Sequence, residues 1–174
     1  MSDIDPKVKE QLDRWVFAKT GDRKFARQVN AWVKKTKLRQ LVVFRESSQQ
    51  LLLQANVSAG NGGRMPVDTG FLWNSIAASK EGIPRGQGRP RKGAKYSAPV
   101  NGDPSLVFAT LQIGDKVWAG WTAVYAARVE HGFIGEDSAG RTYAQSGRGF
   151  FRAAAQRWDQ IVDEAIIKAK RDIP

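Results

Sequence analysis

The spacing of apolar residues predicts that the N-terminal third of the chain is helical. Residues 5–20 begin with Asp5 and Pro6, which are favoured at the cap and in the first turn of a helix. Residues 22–59 contain neither Gly nor Pro and repeat Phe, Val, Trp and Leu at helical spacing. This pattern predicts one long helix, or two helices with a bend near 46–48.

The C-terminal segment has the strongest amphipathic pattern. Residues 148–171 place apolar side chains on one side of a predicted helix and charged side chains on the other. Burying a large apolar side chain contributes about 1.5–3 kcal/mol, so packing against a core explains the pattern without a cofactor. The apolar stripe consists of Phe151, Ala154, Trp158, Ile161, Val162, Ala165 and Ile166.

Short strands are predicted between these helical ends. Residues 71–76 are aromatic and predict either a strand or a turn of helix that runs into a strand. The apolar runs 106–113 and 117–121 flank Gly114 and Asp115. A Gly-first pair between two such runs predicts a β-hairpin with a type II′ turn, because Gly adopts a positive φ there without steric cost.

The remaining pattern completes an α+β prediction. Residues 125–131 predict a short helix, and 133–147 predict a polar loop. The Gly-rich residues 60–63 predict a flexible joint. We therefore expect an N-terminal helical region, 1–63, and an α+β core, 64–174. In that core a small antiparallel sheet with a β-hairpin is packed by the long N-terminal helix and the C-terminal amphipathic helix.

The positive charge is concentrated in two segments. The 174 residues carry a formal net charge of +11 at pH 7. Residues 1–50 contain twelve Lys and Arg against six Asp and Glu, and residues 80–95 contain six against one. The rest of the chain contains ten of each sign. An excess of this kind indicates polyanionic or acidic partners. The N-terminal basic cluster is Lys34, Lys35, Lys37 and Arg39.

The second basic segment lies in a predicted long loop or arm, residues 80–104, which has no apolar periodicity. Part of it, Arg-Gly-Gln-Gly-Arg-Pro-Arg-Lys at 85–92, is similar to the minor-groove-binding AT-hook, although Gln87 stands where that motif has its first core Arg. The alternatives are docking on an acidic protein surface, non-specific phosphate contact and minor-groove reading. The candidate contact residues are Arg85, Arg89, Arg91, Lys92 and Lys95.

Composition excludes several classes of protein. The chain has no Cys, which excludes disulfide frameworks, iron–sulfur clusters and a cysteine nucleophile, and its one His is His131. No apolar run approaches the roughly 20 residues of a membrane span. The N-terminus lacks the apolar stretch of a signal peptide. We expect a soluble protein of a reducing compartment, with no membrane partner, no cofactor and no metal.

Two short motifs could carry catalysis. Asp68-Thr69-Gly70 is the triplet of aspartic proteases, in which two such Asp residues share a proton. Here bulky Phe71 follows, and a cap by Asp68 or Thr69 with a tight turn at Gly70 is the favoured interpretation. Glu130 precedes His131, but no nucleophile accompanies them. We expect Glu130 to pair with an Arg, such as Arg128 or one on another subunit.

The order of three motifs carries a resemblance. Pro66-Val67-Asp68-Thr69-Gly70-Phe71-Leu72-Trp73-Asn74-Ser75-Ile76 comes first, and the predicted hairpin follows it. Then come Tyr125-Ala126-Ala127-Arg128-Val129-Glu130-His131-Gly132 and Gly149-Phe150-Phe151-Arg152-Ala153-Ala154. This series resembles the gene-product-ten-like tail-component and neck family of long-tailed bacteriophages, which is related to the lambda minor tail protein Z group. The family usually has Pro where this chain has Gly149 and Ala153.

The resemblance implies a non-enzymatic virion protein of the head–tail junction, assembled in the host cytoplasm. It implies a homo-oligomeric ring around the DNA channel, with a hexamer favoured. The implied neighbours are connector or head-closure proteins, tail terminator or tail tube proteins, and packaged DNA. Two alternatives stay open: a DNA-binding module that uses 85–95, and an aspartic protease at Asp68. The structural motif residues are Asp68, Thr69, Gly70, Leu72, Ser75, Tyr125, Ala126, Glu130, Gly132, Phe150 and Phe151.

Overall fold

A computed structural model describes residues 5–20, 23–136 and 138–174, and it has the predicted α+β architecture. The elements within these ranges follow in chain order: α1 (Pro6–Thr20), α2 (Arg23–Ala55), a 3-10 turn (Ala59–Asn61), α3 (Phe71–Asn74), β1 (Ile76–Ser79), α4 (Pro104–Ala109), β2 (Trp118–Trp121), α5 (Ala126–His131), β3 (Gly132–Glu136), β4 (Thr142–Ser146), α6 (Phe150–Ala155) and α7 (Trp158–Asp172).

The two N-terminal helices form as predicted. The Asp5 carboxylate accepts the backbone N–H of Lys7 at 2.8 Å, which caps α1. Helix α2 is a single helix of 33 residues, the first of the two predicted alternatives. At the predicted flexible joint, residues 60–63, the chain forms a turn. The N–H groups of Asn61 and Gly63 both donate to the Ser58 carbonyl, each at 2.9 Å.

Helix α7 runs antiparallel to α2 along the body of the protein. The Lys168 ammonium contacts the Glu46 carboxylate at 2.9 Å, and the Arg39 guanidinium donates to the Ile173 carbonyl at 2.8 Å. The C-terminal end of α7 therefore lies beside the middle of α2. The segment of α2 before Arg39 extends beyond α7 and packs against α1.

The described strands form two small antiparallel sheets. Strand β1 pairs with β2, so that Ile76 is opposite Trp121. Strands β3 and β4 form a hairpin in which Gly132 is opposite Ser146. The segment 71–76 is a helical turn that runs into a strand, which confirms the second of its predicted alternatives.

The predicted hairpin over 106–113 and 117–121 is wrong. Residues Pro104–Ala109 form helix α4, because the Asp103 carboxylate accepts the Ser105 N–H at 2.9 Å and Pro104 fits the first turn. Gly114 does adopt a positive φ of 94° in a turn. The strand that follows this turn pairs with β1 rather than with the preceding apolar run.

Two further predictions also need correction. Residues 133–147, predicted as a polar loop, contain most of the β3–β4 hairpin, and every residue of β4 is exposed. Strands without a buried face lack the alternation that would reveal them. The predicted helix 148–171 is interrupted at Gln156 and Arg157, and Trp158, expected in the buried stripe, is 40% exposed.

The described part of the core contains two clusters of buried side chains. The first brings together residues of the first and third sequence motifs, with Tyr125 and Ala126 of the second motif packed against it. The second joins α2, β1 and α4. The first cluster is Met65, Phe71, Leu72, Ala123 and Phe150. The second cluster is Leu52, Ile76, Phe108 and Leu111.

Candidate functional site: a motif cluster and two basic surfaces

The first motif forms a tight turn that inserts two side chains into the core. Gly70 has φ +80°, a conformation that side chains other than Gly rarely adopt, and a Cβ there would collide with the Tyr96 carbonyl oxygen. The Thr69 hydroxyl accepts the Phe71 N–H at 3.4 Å. The predicted tight turn at Gly70 is therefore confirmed. Gly70 itself occupies the cap position of α3, and Thr69, one residue earlier, bonds to the first amide of the helix. Phe71 and Leu72 are buried as a result.

Ser75 connects this turn to the chain that follows β2. Its side chain is fully buried, and its hydroxyl donates to the Leu72 carbonyl at 2.8 Å. The same hydroxyl accepts the Ala123 N–H at 3.4 Å, and the Ser75 carbonyl accepts the Thr122 N–H at 3.0 Å. A hydroxyl is needed here because a buried donor or acceptor without a partner costs about 1–3 kcal/mol.

The second motif is joined to the third through Glu130. The side chain is 8% exposed, and its two carboxylate oxygens accept the N–H groups of Phe151 and Arg152 at 3.0 and 2.9 Å. A carboxylate at this end of α6 satisfies amides that have no partner within the helix. These contacts give Glu130 a structural role, as expected. Arg128, one of the two predicted partners, instead stacks on the Phe133 ring, 4.4 Å from its centroid, and an Arg on another subunit stays a prediction.

Gly132 ends the second motif at a close backbone approach. Its φ is +86°, and a Cβ there would meet the backbone of Gln145 and Gly147 on the neighbouring strand. Ala126 begins α5 and packs at the edge of the first core cluster. Gly is therefore needed at position 132 for a steric reason, because only a residue without a Cβ fits where α5 passes directly into β3.

The third motif contributes one buried ring and one half-exposed ring. Phe150 is 3% exposed and packs edge-to-face on Trp121, with ring centroids 4.9 Å apart. Phe151 is 38% exposed, although the amphipathic pattern placed it in the buried stripe. The buried ring is therefore that of Phe150, which the amphipathic pattern left out of the stripe, and not that of its neighbour Phe151.

Tyr125, the first residue of the second motif, has a shifted pKa. Burial raises the pKa of Tyr125, and the nearby negative charge of Asp68 acts in the same direction. Tyr125 is therefore a neutral phenol at physiological pH. Its ring lies 6.4 Å from that of Phe71, as part of the packing around the turn.

Six of these side chains, which we call the motif cluster, hold α3, α5 and α6 together. Their polar groups bond to backbone atoms of neighbouring segments, and their apolar groups fill the core. The described ranges contain no group of three or more His, Asp or Glu side chains that could hold a metal ion. The motif cluster is Phe71, Leu72, Ser75, Tyr125, Glu130 and Phe150.

The two candidate catalytic residues are exposed. Asp68 lies at the mouth of a cleft of about 400 Å³ that Lys95 and Tyr96 also line. The sequence contains Asp-Thr-Gly once, and a helical turn follows it rather than a strand. His131 is exposed, with its Nδ1 atom 3.3 Å from the Arg152 guanidinium.

The predicted basic arm is a loop that is fastened to the body. The Gln87 N–H donates to the Asn101 side chain at 3.0 Å, and the Val124 N–H donates to the Gly88 carbonyl at 2.9 Å. The Arg91 N–H donates to the Tyr96 hydroxyl at 2.8 Å. Of the two alternatives, loop or arm, the structure shows the loop. Five exposed cations remain on it: Arg85, Arg89, Arg91, Lys92 and Lys95.

The N-terminal basic cluster lies on α2, where Lys34, Lys35 and Lys37 are exposed. Arg39 is half-buried and bonded to the Ile173 carbonyl. A groove of about 1080 Å³ between α1 and α2 was not predicted from the sequence, nor were the polar anchors Asn74 and Asn101. The two Asn residues stand in segments without periodicity, so no pattern marks them.

Comparison with protein-family models, with curated protein sequences and with solved structures returned no match. Within the described part of the chain, none of the helices combines the length and the apolar character needed to cross a membrane.

Proposed function

We propose that this chain is a structural component of the head–tail junction of a long-tailed bacteriophage. In this role it completes the tail or joins it to the connector, without catalysis. The observation that supports the proposal is the motif cluster. Three motifs spread over residues 66–154 meet in one buried group whose polar members bond to backbone atoms.

The chemistry of these contacts favours a structural role. Enzyme motifs place titratable groups in a cleft, where burial and charge adjust their pKa values for proton transfer. Here the Glu130 carboxylate and the Ser75 hydroxyl are both occupied by backbone partners. Residues that fix three elements relative to one another are what a rigid assembly subunit needs.

The proposed assembly is a homo-oligomeric ring, with a hexamer favoured, around the DNA channel of the virion. Rings of this kind are closed by head-to-tail contacts between different surfaces of neighbouring copies. The helical hairpin of α1 and α2 offers unpaired apolar side chains for such contacts: Trp15 and Trp32 are each 63% exposed. The proposed neighbours are connector or head-closure proteins and tail terminator or tail tube proteins.

Electron microscopy of phage lysates tests this proposal. In the genome that encodes the chain, interrupting its gene is expected to yield full heads and separate, unjoined tails. A phage with Ile83→Ala serves as the control, since this side chain is 81% exposed and outside the core. Normal virions in the interrupted mutant would contradict the proposal.

A second candidate is a DNA-binding module that uses residues 85–95. The exposure of all five cations of this loop favours it, and the loop's hydrogen bonds hold them in place before any partner binds. The salt dependence of DNA affinity, measured with and without the cations of the loop, tests this candidate. Protease activity at Asp68 is tested by Asp68→Asn: a variant that still assembles infectious particles excludes it.

A further inference from the structure

The N-terminal half of α2 has a face made of cations and small residues. Residues 23–45 contain eight Lys and Arg and no Asp or Glu. Positions four and seven apart lie on the same side of an α-helix. This spacing places the cations Arg23, Arg27 and Lys34 in one row. Two small residues lie between them. The row and its neighbours line the groove: Arg23, Ala26, Arg27, Ala31 and Lys34.

Helix α1 supplies the other wall of the groove, including its two acidic side chains. Glu10 forms an ion pair with Arg14 at 2.8 Å. The Asp13 carboxylate accepts a hydrogen bond from the Asn30 side chain. Both carboxylates therefore already have partners within the hairpin. Among the side chains that the structure describes, five basic and two acidic ones line the groove, a net charge of +3 over a volume of about 1080 Å³.

This surface extends away from the body of the protein. The end of α7 lies at Arg39, where the Ile173 carbonyl accepts its guanidinium. At 1.5 Å per residue, the 16 residues of α2 before Arg39 extend about 24 Å further. Lys34 and Lys37 lie on this extension and are exposed. A large, rigid partner can therefore approach the face without meeting the sheets.

The distribution of aromatic residues indicates the kind of partner. Phe25 and Trp32 are seven residues apart, so they share one side of α2, and neither lines the groove. Protein interfaces usually have aromatic residues at their centre, whereas nucleic-acid interfaces are polar and strongly positive. Single-stranded nucleic acids are held by aromatic rings beside the cations, and no aromatic ring is among the described side chains that line the groove. The observations therefore favour a duplex.

We propose that the groove between α1 and α2, with the basic face of α2, binds the phosphodiester backbone of a nucleic-acid duplex without reading its sequence. The proposal rests on the charge and shape of the hairpin and is independent of the place of the chain in a virion. It differs from the second candidate function because the 85–95 loop is fastened to Asn101, Thr122 and Val124, on the body of the protein.

The test compares two variants with the same change of charge. The first is Arg27→Gln/Lys34→Gln/Lys37→Gln on the basic face. The second is Arg85→Gln/Arg89→Gln/Arg91→Gln on the loop. The affinity of the full chain for 30-base-pair DNA and RNA duplexes, each in two unrelated sequences, is measured over a range of salt. Each phosphate contact contributes about −0.9 to the slope of log affinity against log salt.

The basic-face variant is expected to reduce the slope by about 2–3, if its three cations each contact a phosphate. The loop variant is expected to keep the slope of the unmodified chain, and the two sequences are expected to bind equally. The proposal is supported if either duplex binds with this slope loss in the basic-face variant alone. The tighter of the two then shows whether the bound backbone is that of DNA or of RNA. Circular dichroism of each variant checks that the helices are retained.

Three outcomes overturn the proposal. Equal loss in both variants would mean that net charge alone governs binding. Loss in the loop variant only would assign the duplex to the 85–95 loop. Poly-glutamate binds through carboxylates rather than phosphates, so tighter binding of poly-glutamate than of either duplex at equal salt would assign the groove to an acidic protein.

Discussion

Aromatic side chains in two regions of this protein have opposite environments. In the motif cluster Phe71 is fully buried and Phe150 is 3% exposed, whereas in the α1–α2 hairpin Phe25 is 45% and Trp32 63% exposed. Charge divides in the same way. Residues 96–174 contain nine Lys and Arg and nine Asp and Glu, whereas residues 23–45 contain eight Lys and Arg and no Asp or Glu.

The difference shows that the residues that stabilise the fold and the residues that are exposed to partners lie in different regions of the chain. The polar groups of the motif cluster are used up by backbone atoms, as Glu130 and Ser75 demonstrate. The hairpin leaves large apolar and basic groups exposed, and contiguous exposed groups of this kind mark interaction surfaces. The comparison predicts that substitutions in the two regions separate stability from binding.

The largest expected effect comes from a matched pair of Phe substitutions. Phe71→Ala removes a fully buried ring from the first core cluster and is expected to lower the free energy of unfolding by about 3–5 kcal/mol. Phe25→Ala removes a half-exposed ring from the hairpin, and a loss below about 1 kcal/mol is expected. Chemical denaturation followed by circular dichroism measures both. Equal losses would remove the distinction between the two regions.

Glu130→Ala is expected to have the next largest effect. Without the carboxylate, the N–H groups of Phe151 and Arg152 lose their acceptors at a site where Glu130 is 8% exposed. An unsatisfied buried donor costs about 1–3 kcal/mol, so a loss of about 2–3 kcal/mol in unfolding free energy follows. The exposed Glu136 provides the control through Glu136→Ala. If Glu130→Ala were as stable as this control, the capping role would be wrong.

The sequence predicted the parts of this comparison that depend on local pattern. The absence of Gly and Pro from 22–59 predicted the long helix, and Asp68-Thr69-Gly70 predicted a capped turn. The α+β class followed from the same patterns. These features are set by residues close to one another in the chain.

Features that depend on distant partners could not be predicted in this way. The apolar run 106–113 has the composition of a strand, yet the Asp103 cap and Pro104 begin a helix there, and β2 pairs with β1, some 40 residues earlier in the chain. Strand β4 is exposed throughout and has no alternation to detect. An Arg partner was predicted for Glu130, but the amides that its carboxylate binds lie 21 and 22 residues later in the chain, and no local pattern reveals them.

A smaller effect is expected from Arg27→Gln/Lys34→Gln/Lys37→Gln. These side chains are exposed and Gln is a good helix former, so stability is expected to change by less than about 0.5 kcal/mol for each substitution. Lys34 and Lys37 are three residues apart, and removing like charges at this spacing favours a helix by about 0.2–0.5 kcal/mol. Thermal melts at low and high salt measure this. A large loss of stability would mean that these cations stabilise the fold, as the motif cluster does, and would contradict the comparison.

The smallest expected effect is a pH dependence at the edge of the body. The N–H of Gln112, which donates to the Asp115 carboxylate at 2.9 Å, and the ammonium of Lys80 at 3.2 Å hold the pKa of Asp115 below its ordinary value of 3.8. A carboxyl whose folded pKa is lowered stabilises the fold above the ordinary value, and this contribution disappears as the pH falls through the folded pKa. Asp115→Asn is therefore expected to be slightly less stable than the unmodified chain at neutral pH and equal to it in strong acid. The exposed Asp163, through Asp163→Asn, is the control in denaturation curves collected across this range. A difference that grew as the pH fell would have the wrong sign for the bonds that Asp115 makes, and the turn at 112–115 would then need another explanation.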